Sequence, residues 1–208
     1  VSAAPETNEW ANRDHAEAYL ERAQRMPRRE VAYGELMEIL PPNPRRILDL
    51  GCGDGKVMAM IGGSGVAVDF SPHMLEQARA RFHADDVEVV GHNLNAPLPN
   101  LGTFDLVVSA FAIHHCPHER KRTLYAEVYE RLEPGGVFAN LEHVASPTER
   151  LHTDFLELIG APEDPSNKLL DVDTQLRWLR DIGFVEVECF WKWRELALLA
   201  GTKPAADV

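Results

Sequence analysis

Three groups of residues have types and spacing suited to chemistry. The first is Asp49-Leu50-Gly51-Cys52-Gly53-Asp54-Gly55, in which apolar Ile47-Leu48 leads into glycines at every second position. Glycines let the backbone turn sharply and let a ligand approach without Cβ clashes, and a helix opening after them presents unpaired N–H groups to polar ligand atoms. The second is Asp69-Phe70, closing the apolar run Val66-Ala67-Val68. A carboxylate at that place can accept both hydroxyls of a ribose. An aspartate after a strand is otherwise often a helix cap, but Ser71 already suits that role. The third is His114-His115-Cys116-Pro117-His118, with Glu142-His143 and His152 further along. Either His115 or His143 could act as a general base, and the alternative is that the histidine pair caps the next helix and Glu142 orients an imidazole. Adjacent histidines rarely point the same way, so no metal site is expected.

Stepping outward, the intervening segments must hold these groups at one end of a sheet. Ile47–Leu50, Val66–Asp69, Val87–Val90, Phe104–Val108 and Val137–Leu141 read as buried strands, separated by helical stretches at about 56–61, 72–83 and 118–132. Alternating strands and helices imply a parallel sheet covered on both faces, with ligands gathering at the carboxyl ends of the strands. Two N-terminal helices are expected, over about 8–26 and from Arg29 to Leu40, the second stopped by Pro41-Pro42. Residues 145–170 interrupt the rhythm with a helix around 148–159 and read as an insertion overhanging the sheet. A helix from Asp173 to Ile182 precedes the runs Val185–Phe190 and Glu195–Ala200. The four residues between those runs cannot hold a crossover, so the last strand should be antiparallel. Only ten residues separate Gly55 from Val66, which is short for a crossover. This predicts either a very short helix or, preferably, a loop near 62–65 missing from the chain.

The chain of 208 residues is 45% hydrophobic and 26% charged, enough for a real core without disulfide staples. Its three cysteines, Cys52, Cys116 and Cys189, form neither a disulfide framework nor a CxxC zinc site. A net charge of −12 repels phosphate backbones, which argues against nucleic acid as the main partner. Arg22, Arg25, Arg28 and Arg29 are one candidate for a local basic patch, though their helix-like spacing more often marks a solvated face. No apolar run reaches membrane-spanning length, and Val1-Ser2-Ala3-Ala4-Pro5 lacks a secretory leader pattern, which predicts a cytoplasmic protein.

The ordered segments together resemble the class I S-adenosylmethionine-dependent methyltransferases. Asp49-x-Gly51-x-Gly53-x-Gly55 is similar to their glycine motif and departs from the GxGxxG of nicotinamide enzymes. Val68–Leu75 is similar to their ribose-binding segment, Phe104–His115 to their fourth strand, and Arg131-Leu132-Glu133-Pro134-Gly135-Gly136 to the turn before the fifth. The resemblance is strong over about 44–143, looser beyond, and closest to the small-molecule branch that includes ubiquinone- and menaquinone-pathway enzymes. It implies a Rossmann-like seven-stranded sheet of order 3-2-1-4-5-7-6, last strand antiparallel, with helices on both faces and an N-terminal helical lid. The expected layout is one domain: a cap over 1–42, a cofactor core over 43–143, and an insertion with helix and hairpin over 144–208.

The same resemblance implies S-adenosylmethionine as cofactor. Asp49, Gly51, Cys52 and Gly53 would surround its methionine part, Asp69 its ribose, and Phe70 and Met74 its adenine. Asn93 and Leu94 would meet the adenine edge, and Ser109 and Ala110 would offer backbone near the sulfonium. Relatives often carry Asp where this chain has Asn93. Methyl transfer needs a nucleophile aligned with the reacting carbon and often a base; His115 and His143 are the candidates. Tyr19, His114 and Glu142 are the candidates for contact with the acceptor. Trp191 and Trp193 share one strand face and could line the pocket or pack elsewhere. The expected function is methyl transfer to an O, N or C atom of a small molecule, and a homodimer is compatible with it. A cofactor-binding regulatory or scaffold protein without catalysis is the alternative, motivated by Asn93 and the short crossover. No Asn/Asp-Pro-Pro-Tyr/Phe motif follows the fourth strand, as amino-group methyltransferases of nucleic acids usually have.

Overall fold

The computed structural model describes residues 26–82 and 86–206. The expected first helix over 8–26, with Trp10 and Tyr19, therefore lies outside the described residues. Six α-helices and seven strands follow in the order α1 (Arg29–Ile39), β1 (Ile47–Leu50), α2 (Lys56–Ile61), β2 (Gly65–Asp69), α3 (Pro72–Arg81), β3 (Val87–Gly91), β4 (Phe104–Ala110), α4 (His118–Arg131), β5 (Leu132–His143), α5 (Glu149–Ile159), α6 (Val172–Ile182), β6 (Val185–Trp193) and β7 (Leu196–Thr202). A single 3₁₀ turn, Ile113–His115, lies between β4 and α4. The sheet order is β3-β2-β1-β4-β5-β7-β6. Neighbours are parallel except for β7, which runs antiparallel to both β5 and β6.

The apolar strand runs are continuous because both faces of the sheet are covered. Leu48, Leu50, Val66, Val68 and Val107 join one core with Leu124, Tyr125 and Val128 of α4 and Leu176 and Leu179 of α6. Ile47, Ala67, Leu106 and Val108 point the other way and pack with Ala32, Tyr33 and Leu36 of α1, Ala78 of α3 and Phe155 of α5. Strand alternation also puts Asp49 on this second face, at the end of β1. Helix ends follow local chemistry: the side chains of Ser71, Thr148 and Asp171 cap α3, α5 and α6, and Gly160 and Gly183 end α5 and α6 in the left-handed conformation. Among the described residues, no helix is long and apolar enough to cross a membrane.

Three expectations need correction. The first crossover closes without extra residues, because α2 has only six residues and Gly62-Gly63-Ser64 bring the chain straight back into β2. Closure depends on Gly65, where a Cβ would sit 1.9 Å from the Ile47 carbonyl oxygen. One motive for the non-catalytic alternative thus disappears. The expected turn at Leu132–Gly136 is absorbed into β5, where Gly135 N–H reaches Lys203 O at 2.9 Å and Lys203 N–H reaches Gly136 O at 2.8 Å. The hairpin link is also shorter than four residues, since β6 runs through Trp193 and β7 starts at Leu196. Arg194, at φ 52°, makes the reversal. Trp191 and Trp193 pack against the core that holds α1 and α5.

Replacing Gly65 by Ala should lower stability by about 2–4 kcal/mol, because β1 and β2 must separate to admit the methyl group. Urea denaturation reads this directly, and an unchanged midpoint would mean the two strands are not packed this closely.

Candidate active site

One cavity opens at the carboxyl ends of β1, β2 and β4, and α1 forms part of its wall. Its floor is the glycine turn after β1. Gly51 and Cys52 N–H both donate to Val68 O, at 2.8 and 2.9 Å, which folds the turn onto the end of β2. Gly51 has φ 69°, and a Cβ there would lie 2.2 Å from the Cβ of Ala112, so only glycine fits between the two loops. Asp69 locks the arrangement: one carboxylate oxygen accepts Gly53 N–H at 2.9 Å and the other accepts Ser71 N–H at 2.8 Å. Burial raises the Asp69 carboxyl above its ordinary range despite these donors.

Asp49 is buried beside this turn, and its Oδ2 has no hydrogen-bond partner among the described residues. Burial drives its carboxyl up to about 7. A buried oxygen in this state calls for a donor or a cation. The ammonium of S-adenosylmethionine has that chemistry. Beyond its backbone bonds from Gly53, Ser71 and Phe70, the Asp69 carboxylate retains acceptor capacity for a ribose hydroxyl. Phe70 and Met74 supply apolar wall beside it. The residues present thus fit the expected cofactor.

Of the expected cofactor residues, Asp49, Gly51, Cys52, Gly53, Asp69, Phe70, Met74, Asn93, Leu94 and Ala110 all line the cavity. Ser109 does not. Its hydroxyl donates to Leu50 O at 2.8 Å, inside the sheet, where it ties β4 to β1. Asn93 carries a local duty, its Oδ1 accepting Asn95 N–H at 2.9 Å. A hydrogen bond to the adenine amine would share that oxygen.

The histidines separate into two layers. His115 lines the cavity, together with Cys116. Its Nδ1 lies 3.0 Å from Ser166 Oγ, and its ring lies against His114 with centroids 4.0 Å apart. Burial, then the neighbouring His114, pulls its pKa down to about 3, so the ring is neutral at physiological pH. Burial, then Glu142, lifts the Cys116 thiol to about 11, so it stays protonated. His114, Glu142 and His143 do not line the cavity, contrary to expectation. His114 and Glu142 are buried against each other, Nδ1 to Oε1 at 2.8 Å. His143 sits behind His114 and is held by Glu195, Nε2 to Oε2 at 2.9 Å. Tyr19 lies outside the described residues.

The sequence reading missed the wall opposite β4. Arg29, Glu30 and Tyr33 of α1 line the cavity, as do Lys56 and Phe111. Arg29 Nε donates to Tyr33 OH at 2.9 Å, and its guanidinium lies 4.5 Å from the Phe111 ring centroid. Arg29 is therefore a cavity residue, not part of a solvated face. The i, i+4 spacing of Arg29 and Tyr33 was the available signal. Phe111 has φ 56°, rare for a bulky residue, and its N–H is fixed on Leu141 O at 2.7 Å.

Comparison with known proteins agrees with this geometry. A family model described as a methyltransferase domain matches residues 47–136. The chain is 30% identical to a demethylmenaquinone methyltransferase of Clavibacter sepedonicus, over 80% of this chain and 77% of that protein. It is 26% identical to a carboxy-S-adenosyl-L-methionine synthase of Desulforapulum autotrophicum, over 76% of this chain and 74% of the other. The fold is similar to that of an O-methyltransferase family protein from Burkholderia thailandensis, with TM-score 0.74, 20% identity, and coverage of 95% of this chain and 62% of that one. It is also similar to human N-acetylserotonin methyltransferase in complex with SAM, with TM-score 0.69, 16% identity, and coverage of 98% and 61%. The chain thus spans about three fifths of the length of those two structures.

The Asp49 environment generates a test. Its folded value of about 7 exceeds the unfolded value near ~4. Between the two, the folded chain holds a proton that the unfolded chain has lost, so stability falls as pH rises through that window and is flat above it. Asp49→Asn should flatten this slope and raise the stability of the ligand-free protein at pH 8 by about 2–4 kcal/mol. Denaturation curves at several pH values would reveal it, and an unaltered slope would place Asp49 in contact with water.

Proposed function

The chain belongs to the class I S-adenosylmethionine-dependent methyltransferases, and from that premise we propose that its acceptor is a small molecule methylated at an O, N or C atom. The observation that carries this reading is the continuity of one cavity. It runs from Asp49 and Asp69, the cofactor side, to Tyr33, Phe111 and His115. Its far wall is aromatic and partly covered by α1, suited to a compact acceptor with an apolar body. The net charge of −12 supports the same choice over a nucleic acid.

The cofactor supplies an electrophilic methyl group when bound. The chain's own part is to bind, to orient and to receive a proton. Asp49 and Asp69 hold charge and hydroxyls at fixed places, and the glycine turn leaves room beside them. Cys116 is protonated, so it does not compete as a nucleophile. His115 is too weak a base to strip a hydroxyl in advance. Its Nε2 is buried in this structure, so the neutral ring must turn before it can orient a hydrogen on the acceptor and accept the proton once methylation has made it acidic. Positioning then supplies most of the rate.

Incubation with methyl-labelled cofactor and cell fractions separated by size tests the proposal. Label should enter the low-mass fraction; label confined to RNA or protein would overturn it. In calorimetry, Asp69→Ala should weaken cofactor binding by about 1–3 kcal/mol, because buried hydrogen bonds are lost. His115→Ala should leave cofactor affinity intact and slow turnover by about a hundredfold. Unchanged turnover would remove His115 from the reaction.

A further inference from the structure

Residues 92–103 cross from β3 to β4 without helix or strand. Backbone polar groups in such a stretch need partners from elsewhere. Its first residues, His92, Asn93, Leu94 and Asn95, line the cavity on the cofactor side. The partners come from α4, where Arg120, Glu127 and Arg131 share a face. Arg120 Nε donates to Leu94 O at 2.6 Å and its Nη2 to Ala96 O at 2.8 Å. The same guanidinium is forked onto Glu127, Nη1 to Oε1 at 2.5 Å and Nη2 to Oε2 at 2.8 Å, with Nη1 also 3.1 Å from Thr123 Oγ1. Glu127 Oε2 in turn accepts Leu98 N–H at 2.9 Å. Further along, Arg131 holds Pro99 O at 3.0 Å and Asn100 Oδ1 at 2.9 Å.

Arg120 and Glu127 are not a loose surface pair. Their side chains are 11% and 23% exposed, and a forked pair of this kind keeps a fixed geometry. Burial opposes the Glu127 charge, but the Arg120 hydrogen bonds and then Leu98 N–H outweigh it and hold the carboxyl below its ordinary range. Neither residue lines the cavity, so an effect on the cofactor must pass through the loop. The route is one peptide plane. The Leu94–Asn95 bond is trans, so its C=O and N–H point in opposite directions. With Leu94 O drawn to Arg120, Asn95 N–H points away from that side chain and donates to Asn93 Oδ1 at 2.9 Å. That bond assigns the carboxamide, because turning it over would set two donors against each other.

We propose that Arg120 and Glu127 are positioning residues for the cofactor's base: the peptide plane they hold keeps Asn93 in the orientation whose oxygen suits the exocyclic amine of adenine. This rests on placing adenine beside Asn93 and Leu94 and is independent of what the enzyme methylates. A free asparagine reads an amine or a carbonyl equally well, by turning over. Held in one orientation, it separates them, since hypoxanthine carries a carbonyl oxygen where adenine carries its amine. The fork on α4 thus makes an ambiguous side chain selective.

Calorimetry with S-adenosylhomocysteine and with S-inosylhomocysteine, its deaminated analogue, tests this without a methyl acceptor. The wild-type protein should bind the adenine form at least about tenfold more tightly. Arg120→Gln should bring the two affinities within about threefold of each other, and Glu127→Gln should move the ratio in the same direction by less. Asn93→Asp added to Arg120→Gln should restore the preference, because a carboxylate cannot turn over into a donor; general loosening of the loop would not be rescued in this way. A wild-type protein without preference, or an Arg120→Gln protein with the wild-type ratio, would overturn the proposal, as would equal weakening of both ligands. Asn93→Ala separates the two possible failures. If it too leaves the ratio unchanged, the placement of adenine is at fault; if it lowers the ratio and Arg120→Gln does not, the fork alone is at fault. Should Arg120→Gln not fold, Arg120→Lys, which keeps the charge and loses the fork, carries the same comparison.

Discussion

The Asp69 carboxylate is the contact on which the cofactor side depends. It ends β2, yet its two oxygens grip backbone N–H groups of two different segments, Gly53 in the turn after β1 and Ser71 at the start of α3. With Gly51 and Cys52 N–H on Val68 O, the end of β2 determines where the glycine turn lies before any ligand arrives. The carboxyl is raised by burial, so the anion is under-solvated by the protein alone, and hydroxyl donors relieve that cost. The same reasoning applies more strongly to Asp49, which lacks even backbone partners for Oδ2. The ligand's polar groups complete a set of hydrogen bonds that the fold begins.

A second polar system lies behind the acceptor side and has a different role. Glu142 Oε1 meets His114 Nδ1 at 2.8 Å and accepts the backbone N–H of His143 at 3.0 Å, while Oε2 accepts from Asn140 Nδ2 at 3.4 Å. Glu195 joins His143 to His152, each at 2.9 Å. Buried carboxylates and imidazoles are costly alone and tolerable in pairs. Here each carboxylate is shared among several partners, so the chain of contacts reaches from the core below β5 to α5 near the surface. Its effect on the cavity is indirect: it immobilises His114, whose ring supports one face of His115. That is why the sequence cluster His114-His115 with Glu142-His143 is real as a constellation but only one of its members meets the cavity.

The sequence disclosed what is encoded locally. Buried parallel strands are apolar runs of fixed length, glycine turns are composition, and Asp69 stands where a strand must end, so the sheet and the cofactor floor could be read from pattern alone. The remainder depends on chain segments far apart. Ser166 meets His115 across 51 positions, and no periodicity marks either. Arg29 and Tyr33 looked like an ordinary helix face because the wall that makes them functional, Phe111, sits in a loop with a strained φ. The crossover after β1 looked too short because minimum lengths assume a full helix; six helical residues and a turn that presses Gly65 on Ile47 O do the same work in less chain. Ser109 was expected to offer backbone beside Ala110, but only Ala110 reaches the cavity, and the Ser109 hydroxyl bonds Leu50 O inside the sheet.

These two halves differ in how they are built. The family match spans 47–136, which contains the whole glycine turn, Asp69, Asn93 and the His115 position. Arg29 and Tyr33 precede that span, and Asp164 and Ser166 follow it. Cofactor contacts are therefore carried by consecutive strand ends of one βα series, in which any shift would disturb β1, β2 and the Asp69 grip together. The wall proposed for the acceptor joins the start of α1 to the exit of β4, segments that meet only in the folded chain, and the stretch between α5 and α6 touches it only through Ser166 and His115. Loops on a fixed scaffold can change without unsettling it. A side chain at Gly51 collides with Ala112 and disturbs both sides. The wall proposed for the acceptor thus joins Arg29 and Tyr33, outside the matched span, to Phe111 and His115, inside it, and the glycine motif alone carries no information on the acceptor.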